Sequence, residues 1–166
     1  MKQNVYVGLL DTCESRSEAE AESTQAYADS AITNRYDGIA NRLITSLDIR
    51  ECTDGAEGFR INKALWDTGA SSSCISERMA RKLGLRPVDT GVGISTTGKQ
   101  DITYYIVDIV LTPEMVFKNV KIAGFPLQNH DVDFAIGMDI ISKGTLLVKN
   151  NSGKTVVTFT VYGARI

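Results

Sequence analysis

The sequence predicts a mostly β domain with two short helices, preceded by an N-terminal extension of helical character. Three observations carry that expectation. Residues 1–44 hold seven acids against four bases, whereas residues 45–166 hold thirteen against fourteen, so composition shifts once, near residue 40. From Leu43 onward apolar residues recur with period two, the spacing of half-buried strands. Turn signals then punctuate the chain at short intervals. A length of 166 residues, 43% hydrophobic and 23% charged, suits one folded domain plus an extension. The extension is assigned to residues 1–42 and the body to residues 43–166.

The elements follow in order. Glu14 to Glu22 is rich in Ala and Glu and predicts a helix running to about Ile32, with Ala26 and Ala31 as packing positions. Leu43, Thr45, Leu47 and Ile49 alternate with polar neighbours as a strand. A turn at residues 53–58 leads to a second strand, Phe59 to Trp66. Ser72 to Ile75 is a short strand, after which Ser76 can cap a helix that runs to Leu83 and stops at Gly84. One hairpin turns at residues 96–99 into the apolar stretch Ile102–Leu111, and another turns at Pro113-Glu114 into Val116–Ile122. Phe134 to Gly137 is a buried strand, Met138 to Lys143 a short helix ended by Gly144. Leu146–Lys149 and Thr155–Tyr162 form a last hairpin over residues 150–153.

Composition excludes several functions. A net charge of −2 offers no basic field for phosphates, which argues against nucleic acid as a partner. The apolar stretch Val5–Leu10 is too short for a signal peptide or a membrane span. Cys13, Cys52 and Cys74 fit neither a disulfide framework nor a zinc site, and His130 is the single histidine, so no metal and no cofactor are expected. A reducing, cytoplasmic setting is the default.

Chemistry concentrates in Ala64-Leu65-Trp66-Asp67-Thr68-Gly69-Ala70-Ser71. An apolar strand delivers a carboxylate into a tight turn, where burial raises the cost of ionising it. Thr68 supplies a hydroxyl that can both donate and accept. Gly69 lets backbone N–H groups approach the carboxylate with no Cβ in the way.

Leu65 to Ala70 resembles the active-site signature of aspartic peptidases, with Ala70 as in retroviral-type members. Ala135-Ile136-Gly137 resembles the apolar-apolar-glycine segment that threads beneath the catalytic loop in that family, and the hairpin tip near Thr97 falls where the family places its flap. The chain thus resembles the retropepsin-like, single-domain aspartic peptidases, as a bacterial-type member, over roughly residues 43–166. Two departures stand out: Trp66 replaces the usual aliphatic residue before the aspartate, and residues 95–99 lack a dense glycine run.

The resemblance implies a single-lobe acid-protease barrel and an aspartic endopeptidase acting on polypeptide. That chemistry needs two carboxylates about 3 Å apart sharing one proton. Asp89-Thr90-Gly91 is a literal second match, but no long apolar strand precedes it and no apolar-apolar-glycine element pairs with it, so it reads as a turn entering the flap. The second carboxylate is therefore expected from a second chain, in an isologous homodimer with Asp67 contributed by each copy. Thr68 would bond across to the other copy, Gly69 and the flap residues Ser95, Thr96, Thr97 and Gly98 would hold the substrate backbone, and Thr155–Tyr162 is a candidate intersubunit strand or, equally, an internal edge strand. Ala70 has no hydroxyl to stabilise an ionised dyad, which predicts activity less confined to strong acid than in pepsin-like members.

Plainer readings stand beside these. Asp67 can be a turn residue of a catalytically silent module that binds extended peptides or mediates dimerisation. Cys74 with His130 lacks any sign of an activated thiolate, and Cys74 reads as a small buried residue. Ser71-Ser72-Ser73 lacks the context of a serine nucleophile. Asp139 sits in the first turn of a short helix, where a carboxylate is favourable, and is read as structural.

Overall fold

The structure is a computed structural model that describes residues 30–52, 56–95, 98–125 and 131–162. Among the described residues ten strands and two helices follow one another as β1 (Ser30–Arg35), β2 (Ile44–Glu51), β3 (Phe59–Trp66), β4 (Cys74–Ser76), α1 (Glu77–Lys82), β5 (Asp89–Ser95), β6 (Gly98–Thr112), β7 (Met115–Phe125), β8 (Phe134–Ile136), α2 (Met138–Ile141), β9 (Thr145–Asn151) and β10 (Lys154–Val161). The protein is mostly β with two short helices, as the periodicity predicts.

The alternation in β2 sets the inward face: Thr45, Leu47 and Ile49 are buried while their neighbours are not. Seven strands lie in the order β2-β3-β8-β4-β7-β6-β5, and β2 also pairs with β6, so six of them close into a barrel with β5 outside it. Closure removes the exposed edges that an open sheet would present. The long strand β6 explains why β5 is excluded. Its residues Val107–Val110 pair with β2 inside the barrel, whereas Gly98–Tyr104 pair with β5, Ser95 opposite Gly98. The β5–β6 hairpin therefore projects from the barrel, where the sequence places a flap. Asp89-Thr90-Gly91 is extended strand in this hairpin rather than a turn, because its backbone is held in the ladder against Tyr104, Thr103 and Ile102.

α1 begins and ends as its caps dictate. Ser76 Oγ accepts from Met79 N at 3.1 Å, and Gly84 takes φ +65° just beyond the helix. β4 starts at Cys74, two residues later than Ser72, because Ser73 is engaged in the crossing described below.

A second sheet has the order β1-β10-β9. It corrects two expectations. Residues 30–32 do not end a helix: Ser30–Arg35 pairs antiparallel with β10, Ile32 opposite Phe159, and pairing with a buried strand overrides the local helix preference. Residues 36–40 are bonded to the same body, Tyr36 N donating to Thr155 O at 2.9 Å and Thr155 N to Gly38 O at 3.0 Å. The rest of the anticipated helix, with Ala26, lies outside the described residues. β10 is not an edge strand either, since β1 and β9 occupy both its sides. One core joins the two sheets. Trp66 of β3 packs on Phe159 of β10 with ring centroids 4.9 Å apart, and Phe159 reaches Phe117 of β7 at 6.5 Å. Among the described residues no helix is long and apolar enough to cross a membrane.

Candidate active site

β3 ends at Trp66, buried against Phe159, and Asp67 is the first residue beyond it. The loop that follows is fixed by backbone bonds before any side chain acts. Trp66 N donates to Leu43 O and Asp67 N to Ile136 O, both at 2.9 Å, so the residue bearing the carboxylate hangs from the parallel β3–β8 pair. Ala70 N closes the turn onto Asp67 O at 3.3 Å, and Met138 N donates to Ala70 O at 2.8 Å. Gly69 N then donates to Asp67 Oδ1 at 2.9 Å, and a Cβ on Gly69 would stand 3.3 Å from that oxygen. The glycine keeps the approach open, as its place in the motif predicts.

Ala135, Ile136 and Gly137 thread beneath this loop. A Cβ on Gly137 would meet the backbone of Ser72 and Ser73 at 2.5–2.8 Å, so only glycine permits the two segments to cross. Ser73 locks the crossing: its Oγ accepts from Gly137 N at 3.0 Å and donates to Asp139 Oδ1 at 2.8 Å, and its N–H donates to the same oxygen at 2.9 Å. Ser73 is fully buried, so these bonds are shielded from water. Asp139 is thus a structural residue, but it works by holding Ser73 rather than only by facing a helix N-terminus. Sequence reasoning missed Ser73; its signal is a small hydroxyl residue a few positions after the aspartate, which the serine run concealed.

The carboxylate corrects one expectation. In the single chain Asp67 and Ala70 are half-buried, and Thr68 and Gly69 are exposed, so burial within one copy does not enclose the acid. The strand preceding it is buried, but the loop turns outward at the residue after Trp66.

Around the loop lies a second, smaller apolar cluster, Cys74, Ile102, Ala123 and Ala135, with Tyr104 and Phe125 packed against it. Register explains it: Ala135 lies opposite Cys74, and Cys74 opposite Ala123. Successive partners share a face, so three small side chains line one row across β8, β4 and β7. Burial, reinforced by the negative charge of Asp67, pushes the Cys74 thiol up to about 11, and the residue is a small buried group rather than a nucleophile. At the hairpin base Asp89 pairs with Lys121 at 2.6 Å, which with the Thr90 N–H holds its carboxyl below the usual range, while Lys121 also lies over the Tyr104 ring. Ser95 and Gly98 face each other across the hairpin; Thr96, Thr97 and His130 lie outside the described residues. Among the described residues no group of His, Cys, Asp or Glu side chains is arranged to hold a metal.

A closed barrel whose Asp-Thr-Gly loop is suspended over a glycine-threaded strand defines the acid-protease class, here in its single-lobe form. The match to known families makes it particular. Residues 57–143, more than half of the chain, match the family described as "gag-polyprotein putative aspartyl protease", and the chain belongs to that family. It is also similar to a retropepsin-like aspartic protease from Rickettsia conorii, with 16% identity and a TM-score of 0.40, over 81% of this chain and 98% of that one. No curated protein matches the chain.

Proposed function

We propose that the protein is an aspartic endopeptidase whose active site forms when two copies each supply Asp67. The observation that carries this reading is the loop itself. Its carboxylate is positioned by the Gly69 N–H and by the threaded β8 strand, yet Thr68 and Gly69 remain exposed on the side a second loop would cover.

In the paired site one carboxylate is ionised and the other protonated, because two charges at such separation are unfavourable. The ionised Asp67 takes a proton from a water molecule as its oxygen attacks the scissile carbonyl carbon, and the protonated Asp67 donates to the carbonyl oxygen. The result is a tetrahedral diol with no covalent enzyme intermediate. Its collapse breaks the C–N bond as the amine nitrogen gains a proton, leaving a carboxyl and an amine terminus. Thr68 of each copy would bond across the seam and keep the loops apart by a fixed distance. The two protons titrate as properties of the pair.

The substrate is an extended polypeptide, held by main-chain bonds between Gly69 and the hairpin residues Ser95–Gly98, as a strand added to the site. The row of Ala135, Cys74 and Ala123 supports side-chain pockets beneath it. Ala70 carries no hydroxyl, so activity should extend toward neutral pH; a profile peaking below about pH 3 contradicts this.

Asp67→Asn preserves the loop's shape but removes both proton functions. Peptide cleavage should fall by at least roughly 10³-fold while the fold and oligomeric state stay unchanged. A variant that cleaves at the wild-type rate would favour a module that binds extended peptides without cutting them.

A further inference from the structure

We propose that Lys121 is a positioning residue of the site: paired with Asp89 across the ring of Tyr104, it latches the β5–β6 hairpin to the barrel and so sets how firmly the hairpin holds a substrate. The effect on substrate rests on the peptidase reading, whereas the latch itself can be measured with no substrate present.

Strand pairing shows why the hairpin needs a tie. β6 pairs with β7 from Thr103 onward, Thr103 lying opposite Gly124. The residues before it, Gly98–Ile102, pair with β5 and not with β7. Beyond Thr103 the hairpin is therefore a two-stranded ribbon among the described residues, and such ribbons are marginal on their own. β5 has no ladder to β7 and reaches it only through packing and side chains. Gly93 rests against Phe125, whose ring a Cβ at that position would meet at 3.2 Å, and Asp89 pairs with Lys121.

The tie sits where the hairpin departs. Asp89 lies opposite Tyr104 and Tyr104 opposite Ala123, one residue before β6 leaves β7. Lys121 stands two residues from Ala123 on the same face, within the diagonal reach of a long side chain. Its Nζ lies 4.3 Å from the centre of the Tyr104 ring and 2.6 Å from Asp89 Oδ2. The ring in turn lies against Gly91, where a Cβ would stand 3.2 Å from it. Thr90 N donates to Asp89 Oδ1 at 2.8 Å and aims the carboxylate. From Ala123 the same row continues to Cys74 and Ala135, one residue from Ile136, whose carbonyl accepts from Asp67 N. The latch is thus the far end of a row that starts beside the support of the acid.

Its topology separates this pair from ordinary surface ion pairs. Arg60–Asp48 joins strands that are already paired, and Arg81–Glu77 lies within one helix. Lys121–Asp89 spans β6 and joins two strands that share no ladder. Its strength suits a moving part. Both side chains are about half exposed, at 50% and 53%. An exposed ion pair backed by one cation–π contact shifts an equilibrium by roughly 3-fold. A tie of that size biases the hairpin toward the barrel without locking it.

Hydrogen exchange on the full chain, read by mass spectrometry, tests the latch. Lys121→Met keeps an aliphatic cover on Tyr104 and removes the charge; Asp89→Asn keeps an acceptor for Thr90 N. Each should speed exchange in β5 and Gly98–Ile102 by roughly 3-fold. The double variant should show the same 3-fold rather than the product of the two, because both changes remove one interaction. Lys121→Arg should restore the wild-type rate, and Lys154→Met, which removes an ion pair on β10, should leave the hairpin unchanged. Salt at about 1 M, where charges are screened beyond about 3 Å, should bring wild type to the rate of the double variant. In peptide cleavage KM should rise roughly 3-fold in both single variants while kcat holds, the mark of lost binding rather than lost chemistry. Wild-type exchange in Lys121→Met, or a double variant equal to the product of the singles, overturns the latch. Faster exchange with an unchanged KM overturns its role in holding substrate. A wild-type chain that cleaves no peptide refutes the peptidase reading, and the exchange rates then decide the latch alone.

Discussion

At the scale of single residues, the segment crossing beneath the Asp67 loop is held by Ser73 and Asp139. Ser73 is fully buried and holds both Gly137 N and Asp139, so Ser73→Ala strips a partner from the buried Gly137 N–H and from the half-buried Asp139 carboxylate. Loss of about 1–3 kcal/mol of stability is expected in chemical denaturation, and an unchanged midpoint would show that the crossing is held by packing alone. Cys74 makes a second prediction, in pH. Its folded thiol titrates near 11 against an ordinary 9.0, chiefly through burial. Below pH 9 the thiol is protonated in both states and contributes no difference. Between about 9 and 11 the unfolded chain ionises first, so stability falls as pH rises, by on the order of 3 kcal/mol in full. Cys74→Ala should flatten that alkaline decline, measured against wild type to cancel other titrations. An identical slope in the two proteins would contradict the assignment.

At the scale of elements, legibility tracks how local the cause is. The bounds of α1 follow from Ser76 and Gly84, and the crossing beneath Asp67 follows from one glycine in Ala135-Ile136-Gly137. Both could be read from short stretches because the deciding contact is steric or lies within one turn. Gly137→Ala should be destabilised by about 3 kcal/mol or fail to fold, since backbone, not a movable side chain, occupies the Cβ position. A stable, active Gly137→Ala protein would contradict the threading. β1 was hidden for the opposite reason. Its sequence has one large apolar residue, Ile32, and becomes a strand only because β10, over a hundred residues later, offers a ladder. β10 itself reads as a strand from alternation, but nothing in its residues says that both sides are taken. Asp89-Thr90-Gly91 shows the converse: a motif that matches by letters is ordinary strand when its neighbours lack the threaded glycine.

For the whole molecule, Trp66 is the residue through which the two sheets communicate. It ends β3, packs on Phe159 and precedes Asp67, so the sheet that carries Phe159 and the loop that carries the acid share one core. The sequence marks Trp66 as a departure from an aliphatic norm, and its partner on a distant strand supplies the reason. Under the proposed function, the half-buried Asp67 and its exposed neighbours Thr68 and Gly69 are the surface that a second copy would cover.

Mixing wild-type chains with the Asp67→Asn variant at fixed total concentration tests the shared site most directly, after dissociation and reassociation of the mixture. If each site needs Asp67 from both copies, an equal mixture should retain about one quarter of the wild-type activity, the fraction of sites with two intact acids. Retention of about one half, in proportion to wild-type chains alone, would mean that each copy acts by itself.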